Sequence, residues 1–231
     1  MVDMTSTMWA ISILFAFVAG SIPFGVIIAR ARGTDIQQRG SKNIGATNVA
    51  RVLGIKFGLV CFVLDVLKGL LPTLAVGFIA GIFGTQLNSI ATNDMLLWFT
   101  VAFVAILGHM YSPWLKWRGG KGVATAFGGL VAMWPLLTVP ILLVLFVWFL
   151  SLMIFRMVSL SSVVASGLLP IITFGWIYWK TGSPSMGQTW PMIVVALMIA
   201  VLVIWKHRLN IRRIWHGQEP KLGSGMSSVK N

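Results

Sequence analysis

The sequence predicts an all-α integral membrane protein with seven transmembrane helices, its N-terminus outside and its C-terminus in the cytoplasm. Composition gives the first indication. Hydrophobic residues make up 57% of the 231 residues and charged residues only 10%, and the mean hydropathy is +0.88. A soluble domain of this size could not cover its surface with so few charges. We therefore expect one membrane-embedded domain over residues 1–231, with a disordered tail over 222–231.

Apolar segments give the helix count, since a spanning helix needs about 20 predominantly apolar residues. The seven segments run over 8–30, 56–80, 95–115, 121–136, 138–156, 159–179 and 189–206. The fourth segment is short and contains glycine, so we expect a half-span or a strongly tilted helix there. Pro135 and Pro140 mark the turn that follows it.

Basic residues set the orientation. All but two of the 18 lysines and arginines fall on one set of connections, the exceptions being Lys68 and Lys180. Basic connections stay in the cytoplasm, so this set and the C-terminus are predicted to lie there. The same rule explains the net charge of +13, with anionic lipid as a second contributor. Nucleic-acid binding is not expected.

The first cytoplasmic connection, 39–51, is rich in glycine, hydroxyl, amide and cationic residues and contains no acid. Such donors suit phosphate oxygens, and glycine lets backbone N–H groups approach a ligand. Thr47 or Asn48 is expected to cap a short helix that runs to Gly54. The alternative is a basic loop that only obeys topology. The candidate site residues here are Ser41, Asn43, Thr47, Asn48 and Arg51.

The second connection places Gly119–Gly122 at the start of the fourth apolar segment. Free backbone N–H groups and the positive end of a helix dipole can bind an anion at such a position. The glycine spacing differs from that of a Walker A loop. The candidate site residues here are His109, Gly119, Gly120, Lys121 and Gly122.

The third connection, 206–219, continues the last apolar segment. If the helix continues, His207 and Asn210 lie on one face at spacing i, i+3, and Arg208 and Arg212 share a different face. A basic amphipathic end that lies on anionic lipid is the alternative for the arginines. Ser161, at the start of the sixth segment, adds a hydroxyl on the same side, and its alternative role is a helix cap.

Asp65 and Lys68 lie within the second apolar segment at spacing i, i+3. A charge at mid-membrane costs about 2.5–3.5 kcal/mol, so we expect a paired, inward-facing arrangement. We interpret the pair as structural, and a proton or ion path is the alternative. The five acids and the single Cys61 are too scattered for a carboxylate dyad or a metal site, so no metal or cofactor is expected.

These segments together resemble the acyl-phosphate:glycerol-3-phosphate acyltransferases of bacterial membranes. The matching stretches are GSKNIGATNVAR (40–51), GHMYSPWLKWRGGKGVAT (108–125) and HRLNIRRIWHGQE (207–219). VLDVLKG (63–69) and SLSS (159–162) are also similar to that family, and the motifs occur in the family's order.

The resemblance implies transfer of the acyl group of an acyl phosphate to the sn-1 hydroxyl of glycerol 3-phosphate. The product would be lysophosphatidic acid, in phospholipid biosynthesis at the cytoplasmic face of the bacterial inner membrane. It implies catalytic roles for Ser41, Lys121, His207 and Asn210 and substrate-binding roles for Arg51 and Ser161, with Gly119 and Gly120 as backbone donors to the donor's phosphate. The expected partners are both substrates and membrane lipids.

Two questions stay open at this point. The proton of the attacking hydroxyl could pass to His207 or to the donor's own phosphate. The rival functions are a transporter or flippase for phosphorylated metabolites and an acyl-CoA-dependent acyltransferase. Against transport, the sequence has no internal inverted repeat, and its polar motifs lie at one face and not at the midplane.

Overall fold

The computed structural model describes residues 4–182 and 186–223. These residues form ten α-helices and two short 3₁₀ turns, with no strand among them. The helices are α1 (Ser6–Ser21), α2 (Phe24–Ala31), α3 (Ala46–Leu53), α4 (Ile55–Ile79), α5 (Thr92–Met110), α6 (Val123–Val131), α7 (Thr138–Phe155), α8 (Val158–Thr181), α9 (Met186–Lys206) and α10 (Arg208–Trp215). The predicted all-α class is confirmed.

Six helical segments of the described chain are long and apolar enough to cross a membrane. They are α1 with α2 taken together, α4, α5, α7, α8 and α9. The fourth predicted segment instead contains α6, which has nine residues. At 1.5 Å per residue, a helix of this length extends about 14 Å, roughly half of the hydrocarbon core. This agrees with the expected half-span, and the count of seven spanning helices stays a prediction.

The first span is interrupted at Ile22 and Pro23, between α1 and α2. Proline has no N–H, so the helix ladder loses a donor where the chain passes through apolar surroundings. Side chains from other parts of the chain supply donors instead. Ser112 Oγ donates to the Ser21 carbonyl at 2.7 Å, and Lys68 Nζ donates to the Ile22 carbonyl at 2.9 Å.

Glycines bring α6 unusually close to α4. A Cβ at Gly69 of α4 would overlap the Thr125 carbonyl, and a Cβ at Gly128 of α6 would overlap the Val66 carbonyl. Small residues allow such backbone approach where lipid offers no hydrophobic driving force. The crossing fixes the start of α6, and with it the glycine turn that precedes α6.

Buried apolar side chains form two clusters. The larger lies among the long helices around Trp98, Met95 and Ile106. The smaller joins α2, α3 and the first turns of α4, and contains the predicted buried Cys61. Because this second cluster packs α3 on α4, it holds the first polar connection against the bundle.

Two residues of the predicted disordered tail are described, Leu222 and Gly223. The Leu222 carbonyl accepts a hydrogen bond of 3.2 Å from Arg156 Nη2, so the tail begins in contact with the end of α7. Residues 224–231 lie outside the described residues.

Candidate functional site

Asn48 organises the first polar connection from within. Its side chain is 1% exposed. The amide group donates to the carbonyls of Ile36, Arg39 and Asn43 at 3.3, 3.0 and 2.8 Å, and Oδ1 accepts the Ser41 N–H at 2.8 Å. The amide N–H groups are therefore engaged within the protein, and the predicted contact of Asn48 with substrate stays a prediction.

The short helix predicted before Gly54 is present as α3, but its cap differs from the prediction. Gly45 occupies the N-cap position without a side-chain hydrogen bond, and Thr47 and Asn48 lie in the first turn. The expectation that one of them caps α3 is wrong, because Asn48 Oδ1 is engaged by Ser41. Asn43 Oδ1 accepts the Gly45 N–H at 2.9 Å and so orients the turn into α3. Ser41, Thr47 and Arg51 are exposed.

The glycine turn before α6 folds back on the end of α5. The Gly119 N–H donates to the Met110 carbonyl at 3.2 Å, and the Gly120 N–H donates to the His109 carbonyl at 3.0 Å. Both N–H groups therefore have backbone partners in this conformation, and their predicted role as donors to a phosphate stays a prediction. Gly122 is the N-cap of α6 with φ +79°, a conformation that favours glycine.

Lys121 leaves this turn toward the last helix. Its Nζ lies 2.5 Å from Oδ1 of Asn210. Asn210 is 6% exposed and His207 3%, whereas Arg208 and Arg212 are exposed. The predicted sorting of these residues onto different faces is therefore confirmed, with His207 at the junction of α9 and α10.

Glu219 follows α10 in the chain and contacts Asn210, the partner of Lys121. Its carboxylate accepts hydrogen bonds from Ser159 Oγ at 2.6 Å, Asn210 Nδ2 at 2.7 Å and Arg213 Nε at 2.7 Å. Burial raises the pKa of Glu219, but these hydrogen bonds outweigh it and hold the pKa below its usual value. An ionised Glu219 thus fixes the Asn210 amide so that its oxygen faces Lys121.

Positive charge is concentrated around Lys121. Burial lowers its pKa from 10.5 to about 8; the Glu219 charge opposes this, and the charges of Arg213 and Arg51 add to it. The influence of Arg51 brings α3 into the same electrostatic environment. Near neutral pH the ammonium is still mostly protonated and ready for an anion.

His207 presents one free ring nitrogen. Its Nδ1 lies 2.8 Å from the Val203 carbonyl oxygen. A carbonyl oxygen only accepts, so Nδ1 carries the proton and Nε2 of the neutral ring is an acceptor. Burial lowers the pKa of His207 to about 4, and the neighbouring Lys121 charge contributes in the same direction. The ring is therefore neutral at pH 7.

The serines at the start of α8 have different hydrogen-bond partners from those that the prediction implied. Ser161 is fully buried and donates to the Met157 carbonyl at 3.0 Å, within its own helix. Ser159 instead reaches Glu219. The structure therefore links Ser159, and not the predicted Ser161, to the cluster that contains Lys121.

His109 is buried behind the glycine turn. It is 4% exposed, and its Nδ1 lies 3.7 Å from Asp65 Oδ1. A Cβ placed on Gly120 would overlap Nε2 of the ring. Both ring nitrogens thus face protein atoms, and the predicted contact of His109 with substrate stays a prediction.

Two cavities accompany these residues. An open basin of about 300 Å³ is lined by Arg212, Arg213, His216 and Gln218. A second, of about 250 Å³, lies between the first span and α4 and is lined by apolar side chains with Lys68. Among residues 4–182 and 186–223, no three His, Cys, Asp or Glu side chains form a group that could hold a metal ion.

A family comparison decides the relationship of this chain. The family model described as glycerol-3-phosphate acyltransferase matches residues 10–217. The chain belongs to this family. A glycerol-3-phosphate acyltransferase of Thermosynechococcus vestitus is 39% identical over 222 residues, which cover 95% of this chain and 98% of that relative. A Listeria monocytogenes glycerol-3-phosphate acyltransferase is 41% identical over 210 residues, 90% of this chain and 94% of the relative.

Two solved structures of the same family share the fold. Both are crystal structures of PlsY (YgiH), described as an integral membrane glycerol 3-phosphate acyltransferase, in its glycerol 3-phosphate and lysophosphatidic acid forms. The TM-scores are 0.77 and 0.74, at 34% identity over 93% of this chain and 96% and 95% of theirs. This member of the acyltransferase family is accordingly an integral membrane protein.

Sequence reasoning about this family member missed Ser159, Glu219 and Asn48 as organisers of the site. Glu219 carried a signal, since it is the single acid in the strongly basic segment 206–219. Ser159 carried none, because a serine at a helix start usually acts as a cap. The paired N–H groups of Gly119 and Gly120 could not be read from composition.

Proposed function

We propose that this chain transfers the acyl group of an acyl phosphate to the sn-1 hydroxyl of glycerol 3-phosphate, giving lysophosphatidic acid. One observation carries the proposal. Lys121, Asn210, the free Nε2 of His207 and the charge of Arg51 share one environment, on residues from three connections of the chain. This donor-rich environment contains a single carboxylate, Glu219, which is already paired with Arg213.

Lys121 and Arg51 are assigned to the phosphates. Each substrate brings a phosphate into a region whose cations lack enough acid partners, so binding relieves repulsion between those cations. A phosphate beside Lys121 raises the pKa of its ammonium above the value of about 8 found without ligand. Ser41, at the turn that Asn48 holds, is assigned to the same substrates.

His207 and Asn210 are assigned to the glycerol backbone. The sn-1 oxygen attacks the acyl carbonyl carbon, the carbon–oxygen bond to phosphate breaks, and phosphate leaves. Two groups can accept the hydroxyl proton, His207 Nε2 and the departing phosphate. The pKa of about 4 at His207 favours the phosphate as acceptor and leaves His207 and Asn210 to orient the hydroxyl. Acyl phosphate already carries a good leaving group, so positioning and charge stabilisation suffice.

The site is placed at the cytoplasmic face of a bacterial inner membrane, with seven crossings and the N-terminus outside. Support comes from the basic connections and from α6, a half-length helix that opens at Lys121. Cysteines introduced at the exposed Asn88 and Lys116 test this arrangement, since the native Cys61 is buried. A membrane-impermeant thiol reagent added to intact cells should label Asn88→Cys only. Labelling of Lys116→Cys would instead show that the chain has the opposite orientation in the membrane.

Purified protein incubated with palmitoyl phosphate and radiolabelled glycerol 3-phosphate tests the reaction. Lysophosphatidic acid should form with palmitoyl phosphate and not with palmitoyl-CoA. Product from palmitoyl-CoA alone would reassign the donor. No product, together with uptake of glycerol 3-phosphate by proteoliposomes, would replace the acyltransferase with a transporter.

A further inference from the structure

Three polar side chains are buried beneath the glycine turn, and the proposed reaction uses none of them. Asp65 is 3%, Lys68 5% and His109 4% exposed. Lys68 Nζ lies 2.8 Å from Asp65 Oδ1 and donates to the Ile22 carbonyl. Burying an ion pair costs desolvation free energy, and such a pair holds its two side chains in fixed positions.

His109 connects this pair to the turn. Its Nδ1 faces the Asp65 carboxylate, 3.7 Å away, and has no hydrogen-bond partner within the described residues. The opposite edge of the ring lies against Gly120, where a Cβ would have its three nearest neighbours in the His109 ring. The His109 carbonyl also accepts the Gly120 N–H at 3.0 Å. One residue therefore contacts the turn through both backbone and side chain.

We propose that His109 is a positioning residue, which sets the path of the Gly119–Gly122 turn so that Lys121 reaches Asn210 and the substrate phosphate. Asp65, itself held by Lys68, lies 3.7 Å from Nδ1 and limits the space into which the His109 ring can move away from Gly120. Lysine has a flexible four-carbon stem, so the place of its ammonium depends on where the turn puts its Cα. The inference rests on the proposed function and adds that His109 aligns Lys121, the main cation of the site.

Gly120 has no side chain and so leaves room for the His109 ring. Gly119 provides a matched control, because a Cβ there would overlap the His109 backbone carbonyl and not its side chain. Removal of the imidazole therefore makes room for a methyl group at position 120 and does nothing for one at 119. The two glycines, adjacent in sequence, separate a side-chain effect from a backbone effect.

The experiment is a double-mutant cycle measured as KM for glycerol 3-phosphate and as kcat. His109→Ala should raise KM about tenfold and leave kcat within about threefold, the pattern of a weakened ground-state contact with phosphate. Gly120→Ala should lower kcat/KM about 100-fold, and adding His109→Ala should recover at least tenfold of that loss. Gly119→Ala should show no recovery when His109→Ala is added.

Each outcome has a distinct meaning. A loss of folded protein would lower kcat at unchanged KM, so an unchanged KM in His109→Ala overturns the inference. Equal kcat/KM in Gly120→Ala and its double variant overturns it as well. If Gly120→Ala does not yield folded protein by thermal unfolding and size-exclusion chromatography, the KM of His109→Ala alone decides. An inactive wild type removes the proposed function and the inference with it, whereas an active wild type with insensitive variants removes only the inference.

Discussion

Lys121 Nζ and Asn210 Oδ1 lie 2.5 Å apart, although 89 positions separate the two residues in the chain. Asn210 in turn donates to Glu219 at 2.7 Å. A carboxylate thus orients an amide, and the amide oxygen receives the cation. The position of the cation assigned to phosphate therefore depends on residues that lie far from it in sequence.

Removal of the Lys121 charge should abolish activity without loss of the fold. We expect Lys121→Ala to lower kcat/KM for glycerol 3-phosphate at least about 100-fold, because charge-assisted contacts to phosphate are among the strongest that a site makes. The measurement is initial rate with palmitoyl phosphate, with membrane insertion followed in parallel. Rates like those of the wild type would refute the assignment of Lys121.

The dependence of kcat/KM on pH should reveal Lys121, because kcat/KM reports the pKa values of the free enzyme. Its pKa is lowered to about 8, so the ammonium loses its proton as the pH rises through that value. The value of kcat/KM should then fall above about pH 8, and kcat at a somewhat higher pH because a bound phosphate raises the pKa. Lys121→Arg keeps its proton and should be slower but without this alkaline decline. An identical decline in the arginine variant would assign it to another group.

His207 should matter for orientation more than for proton transfer. With a pKa of about 4, its ring is a poor base at neutral pH. We expect His207→Gln to lower kcat about tenfold, below the roughly 100-fold or more that loss of a general base costs. Single-turnover rates at pH 7 provide the measurement. A loss near 1,000-fold would restore His207 as the base.

Arg213 and Arg212 offer a matched pair for the role of Glu219. Arg213 Nε lies 2.7 Å from Glu219 Oε2, whereas the neighbouring Arg212 is exposed. Arg213→Ala should lower kcat about tenfold because Glu219 loses a partner that holds the Asn210 network in place. Arg212→Ala should retain kcat within about twofold. Equal effects of the two substitutions would show a general effect of basic charge.

Asn48 should contribute mainly to stability. Asn48→Ala removes four hydrogen bonds from a buried position, at about 1 kcal/mol each, and should lower the Tm clearly. The neighbouring Thr47 is exposed, so Thr47→Ala should leave the Tm nearly unchanged. Thermal unfolding of both variants in the same detergent makes the comparison. A large activity loss in Asn48→Ala at unchanged Tm would return Asn48 to the substrate contacts.

Sequence reasoning succeeded where a periodic pattern determines geometry. Apolar segments located the long helices, and the i, i+3 spacing placed His207 and Asn210 on one buried face. The spacing of Asp65 and Lys68 likewise gave their ion pair, observed at 2.8 Å. These features follow from the helical repeat and need no knowledge of distant contacts.

Sequence reasoning failed where irregular backbone, or contacts between residues far apart in the chain, determine the structure. The N–H groups of Gly119 and Gly120 turn back to the end of α5, a path that glycine permits but does not specify. Ser159 and Glu219 are 60 positions apart, and only the packing of α10 on α8 brings them together. Polar residues in such loops look alike in sequence, whether they bind a ligand or hold the loop.

The interruption at Pro23 has a consequence for protein engineering. Pro23→Ala would let α1 and α2 join into a straighter helix with a regular hydrogen-bond ladder, a more stable element in isolation. The Ile22 carbonyl now accepts hydrogen bonds from Lys68 Nζ at 2.9 Å and from the Phe24 N–H at 3.1 Å, and a regular helix would turn it along the helix axis toward the Val26 N–H, away from Lys68. A substitution that improves local helix propensity would thereby cost the buried Lys68 ammonium one of its polar partners and leave it the ion pair with Asp65. The proline breaks the helical hydrogen bonding at a position where the bundle needs a carbonyl to face Lys68. General rules for stabilising helices should therefore fail at this position.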